Sequence, residues 1–202
     1  YDDALATLRA KNLVYDCGCS RADQARTASA PLGREAVYPG TCRDGLPAGR
    51  VARAVRFRTS HEVIGFDDML RGRVEEDVAA ETGDFVVRRA DGVYAYQLAV
   101  VVDDAAQNVT QVVRGADLLS STARQVALQR ALGFPTPSYA HLPLVVNPDG
   151  SKLGKRDGAL PLPSLDENRV SETLSFALRF LGVEVDLDSP SRMLLEALGK
   201  SS

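Results

Sequence analysis

The sequence predicts an α/β fold in which strands and helices alternate. Three observations point to it. Runs of strand length and apolar, β-branched character occur at residues 84–89, 109–113 and 142–146. An amphipathic helical pattern at residues 123–132 stands between the second and third runs, stopped by Gly133 and Pro135. Turn residues close the segments, as in Ala90-Asp91-Gly92 and Asn147-Pro148-Asp149-Gly150. Such an alternation indicates a parallel sheet, whose ligands gather at the carboxyl ends of the strands. Arg114 and a loop carrying Lys152 and Lys155 both fall just past such ends.

From the amino terminus, Ala4, Leu5 and Leu8 have helical spacing, with Asn12 as a stop before a strand-like Leu13-Val14-Tyr15. Residues 50–58 alternate Arg with apolar side chains, the period of a half-buried strand with one basic face; a solvated face is the commoner cause of that pattern. Residues 66–72 read as a turn and short element, and residues 74–82 as acidic and exposed. His61 stands alone in polar surroundings and receives no role. Residues 94–102 form an apolar segment ending in Asp103-Asp104, and Ser120-Ser121-Thr122 offer caps for the helix that follows. Beyond Pro161-Leu162-Pro163 the pattern is helical, with Leu174, Ala177, Leu178 and Leu181 on one face, and a last helix is predicted at residues 191–198.

With 202 residues, 45% hydrophobic and 25% charged, the chain has the makings of a buried core. A net charge of -3 argues against wholesale coating of nucleic acid, though not against a local basic patch. No run approaches the roughly 18 apolar residues of a membrane span, and Tyr1-Asp2-Asp3 is unlike the basic start of a signal peptide. The expectation is a soluble cytoplasmic protein without a membrane partner.

Two stretches carry chemistry. Cys17-Gly18-Cys19 and Cys42 place three thiols within the first 43 residues, too few and too clustered for a disulfide framework. Thiolates on a Gly turn suit a tetrahedral cation, and Tyr38 can supply a fourth, oxygen ligand. Three free cysteines beside a packed Tyr ring satisfy the same spacing. Ser151-Lys152-Leu153-Gly154-Lys155 places two lysines three apart in a Gly-rich loop, which can bend over a polyphosphate; simple solvated charge is the bland reading.

Four ordered segments together resemble a known family. They are residues 96–104 (Tyr-Gln-Leu-Ala-Val-Val-Val-Asp-Asp), 113–118 (Val-Arg-Gly-Ala-Asp-Leu), 141–144 (His-Leu-Pro-Leu) and the loop at Lys152. In order and spacing they resemble the catalytic domain of glutamate-specific class I aminoacyl-tRNA synthetases. The lysine loop is similar to that class's KMSKS signature, with Gly154 replacing a Ser. Cys-x-Cys followed by Tyr-x-x-x-Cys resembles the zinc site of the shortened branch that lacks an anticodon-binding domain and glutamylates the queuosine base of tRNA(Asp). Only about 46 residues follow Arg156, in keeping with that branch.

The resemblance implies a partial Rossmann-type catalytic domain with a zinc-binding insertion and a small carboxyl-terminal helical region. The expected organisation is a helix and zinc insertion at 1–50, an acceptor-side connector at 51–83, the second Rossmann half with the KMSKS-like loop at 84–160, and a helical appendix at 161–202. It implies a structural Zn²⁺ on Cys17, Cys19, Tyr38 and Cys42, with ATP and Mg²⁺ as co-substrate and glutamate and tRNA(Asp) as partners of a monomeric enzyme. Lys155 would contact ATP, Lys152 would steady the loop, and Tyr96 and Arg114 would bind glutamate. On their own residues, Arg114 equally fits an ion pair with Asp117, and Tyr96 equally fits packing. The class also carries a HIGH-type sequence, whereas here His61 precedes Glu-Val-Ile and His141 precedes Leu-Pro-Leu. The expectation is therefore a chain that begins inside the family pattern and is inactive alone. The alternatives are a shortened ordinary glutamyl-tRNA synthetase, and a non-catalytic zinc-stabilised module binding nucleic acid through residues 50–58.

Overall fold

The structure, a computed structural model, describes residues 1–20, 22–23, 37–149, 151–153 and 167–183, the side chains of 167–169 excepted. It divides into two compact units, Tyr1–His141 and Leu142–Ser202. Among the described residues no helix is long and apolar enough to cross a membrane.

In the first unit, helix α1 (Asp2–Ala10) buries Ala4, Leu5 and Leu8, the predicted stripe. Asp2 and Asp3 at its start and Arg9 at its end complement the helix dipole. Asn12, at φ 54°, turns the chain out of it as expected. Strands β1 (Val14–Cys17), β2 (Ala54–Phe57) and β5 (Val86–Arg88) form one sheet in the order β1-β2-β5, all antiparallel. A second sheet has the order β4-β3-β7-β6, from β3 (Val63–Asp68), β4 (Gly72–Asp77), β6 (Gln111–Gly115) and β7 (Ser138–Leu142). Here β3 and β4 form a hairpin, while β3 meets β7 in parallel at Asp68 and Tyr139. The architecture is α/β with mixed sheets, which corrects the wholly parallel expectation. Short connections between β3 and β4 permit only antiparallel pairing, and periodicity does not report pairing direction.

Residues 74–82, expected to be exposed, contain β4 and a short helix α2 (Val78–Glu81), with Val78 and Glu76 buried. The apolar segment after Tyr94 is helix α3 (Tyr96–Ala106), burying Leu98 and Val101, which are three residues apart on one face. Its Val-Val-Val run disfavours a helix locally, so burial of that face overrides propensity. A short 3₁₀ turn (Ala116–Leu118) leads into α4 (Leu119–Leu132), which ends at Gly133 in the left-handed conformation. That helix starts four residues before its predicted first residue, and Ser121 and Thr122 lie buried inside it rather than capping it. Leu8, Phe57, Ile64, Phe66, Phe85, Val87, Leu98, Val101, Val126, Leu128 and Tyr139 make one core. Each such side chain contributes about 1.5–3 kcal/mol by leaving water.

In the second unit, Val146 pairs with Lys152 across a tight turn, and helix α5 (Glu167–Phe180) buries Leu178 and half-buries Leu174. Ala177 and Leu181, expected on the same face, are exposed. The helix predicted at residues 191–198 lies outside the described residues.

Candidate functional site

Four ligand-type groups converge where β1 ends. Tyr38 Oη lies 3.5 Å from Cys17 Sγ and 3.6 Å from Cys19 Sγ, and Cys19 and Cys42 Sγ are 3.6 Å apart. All three sulfurs lie within 4.8 Å of one another. A tetrahedral cation with sulfur at about 2.3 Å and oxygen at about 2.0 Å needs sulfurs about 3.8 Å apart and sulfur to oxygen about 3.5 Å. The two sulfur–oxygen distances and the Cys19–Cys42 distance fit one such ion. The tertiary contacts bring Tyr38 into the cluster with its hydroxyl as an acceptor, taking the backbone N–H of Cys42 at 3.0 Å. Gly18 serves by its size: a Cβ there would lie 2.9 Å from the Val51 carbonyl oxygen.

Arg56 supplies the local positive charge. Its guanidinium lies 3.7 Å from the Tyr38 ring centre, and Nε donates to Cys17 Sγ at 3.3 Å. Burial opposes ionisation of Cys17, but hydrogen bonds from Tyr38, Cys19 and Arg56 outweigh it and hold its thiol below the usual range. Burial raises Cys19, and burial with the thiol contacts raises Tyr38. A bound cation reverses that logic for thiols and phenol alike. The strand face expected to be solvated is corrected here: Arg56 is 3% exposed, and Arg58 lies over the Tyr15 ring at 4.8 Å. Only Ala54–Phe57 of the basic stretch is strand, while Arg50 and Arg53 border an open cleft of about 590 Å³.

A second constellation lies around β6 and β7. Arg114, in β6, donates from Nε to His141 Nε2 at 3.0 Å and from Nη2 to Thr122 Oγ1 at 2.7 Å. A longer contact, 3.4 Å, runs to the Leu118 carbonyl. His141 Nδ1 lies 2.6 Å from Asp68 Oδ2, both side chains being fully buried. Tyr139 stacks beside His141, and the Arg114 guanidinium sits over the Tyr139 ring at 5.4 Å. Burial opposes ionisation of Asp68, but hydrogen bonds from His141, Leu70 and Arg71 hold its carboxyl below the usual range. Nearby, Gln125 donates to Gln97, which donates to Ser121.

Tyr96 is the first residue of α3 and is half exposed, with its ring free of the core that Leu98 and Val101 enter. Lys152 is exposed beside a turn closed by Asn147, Asp149 and Ser151. Lys155 and Gly154 lie outside the described residues. The sequence patterns gave Arg56, Asp68, Thr122 and His141 no site role: Arg56 stood in the alternating basic stretch, Thr122 among the candidate caps and His141 only in a motif. His61 is exposed and contacts Asp77 at 3.2 Å.

These sites sit in a recognised class. The family model for the catalytic domain of class I tRNA synthetases (E and Q) matches residues 37–187, and the chain belongs to that family. More particularly, it is 56% identical over 186 residues to a protein of Geobacter sulfurreducens named Glutamyl-Q tRNA(Asp) synthetase, covering 90% of this chain and 59% of that one. A protein of Aromatoleum aromaticum with the same name is 55% identical over 182 residues, covering 90% and 56% respectively. The chain thus spans somewhat more than half the length of these relatives. The crystal structure of a glutamate tRNA ligase from Elizabethkingia meningosepticum, in complex with its amino acid, superposes with a TM-score of 0.64 at 26% identity, covering 80% of this chain and 36% of that one.

Proposed function

We propose that the protein containing this chain activates glutamate with ATP and transfers the glutamyl group to the queuosine base in the anticodon of tRNA(Asp). The observation that carries the reading is Arg114, a half-buried guanidinium anchored on two sides by His141 and Thr122. The names of the relatives at 55–56% identity support the substrate and acceptor. In the first step a glutamate carboxylate oxygen attacks the α-phosphorus of ATP, and the bond to the bridging oxygen breaks to release pyrophosphate. In the second, a hydroxyl of the queuosine base attacks the acyl carbon and AMP leaves with the electron pair.

The protein's part is positioning and charge. Arg114 pairs with a carboxylate of glutamate through its planar fork, and Tyr96 donates its hydroxyl to the same substrate. Lys155 supplies positive charge to the α-phosphate and the departing pyrophosphate, with ATP entering as its Mg²⁺ complex, and Lys152 steadies the loop. Cys17, Cys19, Tyr38 and Cys42 would hold a structural zinc, which would supply shape rather than a catalytic water.

The test uses the full-length protein. Glutamate-dependent ATP–pyrophosphate exchange should be robust, and labelled glutamate should pass to tRNA(Asp) that contains queuosine but not to the same tRNA lacking it. Charging of tRNA(Glu) instead would establish the ordinary glutamyl-tRNA synthetase reading. Absence of exchange would leave a binding module.

A further inference from the structure

We propose that Asp68 and His141 are positioning residues that aim the Arg114 guanidinium at the substrate carboxylate; this rests on the reading of Arg114 as a glutamate partner. The Asp68 and Arg114 contacts select one protonation pattern, with which the 3.2 Å contact of Thr122 Oγ1 to His141 Nε2 is compatible in the direction of the hydroxyl donating. Asp68 Oδ1 accepts the backbone N–H groups of Leu70 at 3.0 Å, Arg71 at 2.9 Å and His141 at 3.3 Å. Its Oδ2 is left to face His141 Nδ1 at 2.6 Å. A carboxylate so surrounded by donors is an acceptor, so Nδ1 carries a proton.

At the other edge of the ring, Arg114 Nε can only donate, because guanidinium stays protonated in proteins. Its 3.0 Å contact requires a lone pair on His141 Nε2. Both constraints select the neutral ring protonated on Nδ1, a tautomer fixed by the partner of the opposite nitrogen. Thr122 Oγ1 takes Nη2, and the Tyr139 ring lies under the guanidinium plane. Among the described residues no hydrogen bond uses Arg114 Nη1. With Nη2 already directed at Thr122 Oγ1 and, at 3.4 Å, at the Leu118 carbonyl, Nη1 is the donor left for a carboxylate, and its direction is set by Asp68 through His141. An Asn at 68 presents its amide N–H₂ or a weaker neutral oxygen to Nδ1. Where the ring answers by moving its proton to Nε2, that nitrogen confronts Arg114 donor to donor.

In the full-length protein, Asp68→Asn and His141→Phe should raise the KM for glutamate by about ten- to a hundredfold, with little change in the KM for ATP. His141→Gln, whose Oε1 can accept from Arg114, should recover much of the loss. In the unmodified protein, imidazole ¹⁵N NMR should show His141 as the neutral ring protonated on Nδ1; a ring protonated on Nε2 overturns the proposal even where variants fail to fold. Equal losses for glutamate and ATP, or lowered thermal stability with an unchanged glutamate KM, also overturn it. Arg114→Lys separates the two readings. No change in glutamate KM there rejects Arg114 as the substrate partner, whereas a rise with Arg114→Lys but none with Asp68→Asn rejects the positioning role alone.

Discussion

Arg56 Nε lies 3.3 Å from Cys17 Sγ, with the same guanidinium stacked at 3.7 Å on the ring of Tyr38. Residues 39 and 18 positions away in sequence are thus held by one buried cation, which also donates to the Asp84 carbonyl at 2.7 Å. Three thiolates around a divalent cation would leave net negative charge, which Arg56 is placed to offset.

Replacing Arg56 with Met should therefore do more than remove packing. The Asp84 carbonyl loses its donor, the Cys17 sulfur its counter-charge, and Tyr38 its stacked partner. The expected loss is about 3 kcal/mol of stability, together with faster metal release. Urea denaturation and metal analysis after dialysis against a chelator check both; unchanged metal retention would mean that Arg56 supports only the fold.

Chelation of the unmodified protein should release about one zinc per chain, and Cys42→Ala should abolish stoichiometric binding. Hydrogen exchange should rise around Cys17, Cys19 and residues 38–42 while amides near Leu98 and Val126, deep in the core, stay protected. Uniform exposure of both regions would show that the cluster holds the whole unit.

Gly83 links the thiol cluster to the next strand. It bridges Tyr38, has φ of +71°, and a Cβ there would lie 2.7 Å from the Tyr38 carbonyl oxygen. Gly83→Ala should cost about 2 kcal/mol or more from backbone strain and this clash, lower the melting temperature and displace Tyr38. A Tm within a degree of the parent would contradict it.

Glu76 provides the pH signature. Burial first, and then the charge of Glu81, raise its carboxyl to about 7, with Arg124 opposing. Below the unfolded value near 4.5 the group is protonated in both states and neutral to stability. As pH rises from there to about 7, the unfolded chain releases a proton that the folded chain keeps, so stability falls and the full cost, at most about 3 kcal/mol, is present above 7. Glu76→Gln should match the parent at pH 4 and exceed it at pH 8 in urea denaturation; equal stability at both values would show that burial does not penalise this carboxylate.

Local patterns in the sequence reach far but stop at predictable places. The stripe of α1, the Asn12 and Gly133 stops and the turn at Gly92 were all legible, because each depends on neighbours within one turn of chain. The spacing of Cys17, Cys19 and Cys42 pointed to a cluster, and the structure brings Tyr38 to it. The strand face at 54–57 was misread because alternation reports which residues share a face, not whether that face meets water or a ring. Likewise Ser121 and Thr122 look like caps in sequence, yet the 3₁₀ turn before α4 carries the helix past them and frees their hydroxyls for Gln97 and Arg114.

The sequence by itself determined the α/β class, the family and the thiol cluster, and singled out Arg114 as a candidate, since residue types and spacing are its direct content. Tertiary structure alone decided what Arg114 can do. Asp68 and His141 lie 73 residues apart and meet only where β3 and β7 pair in parallel. A proton is fixed on one ring nitrogen by that meeting, and hydrogen-bond direction is a property of groups in contact, which no local pattern encodes.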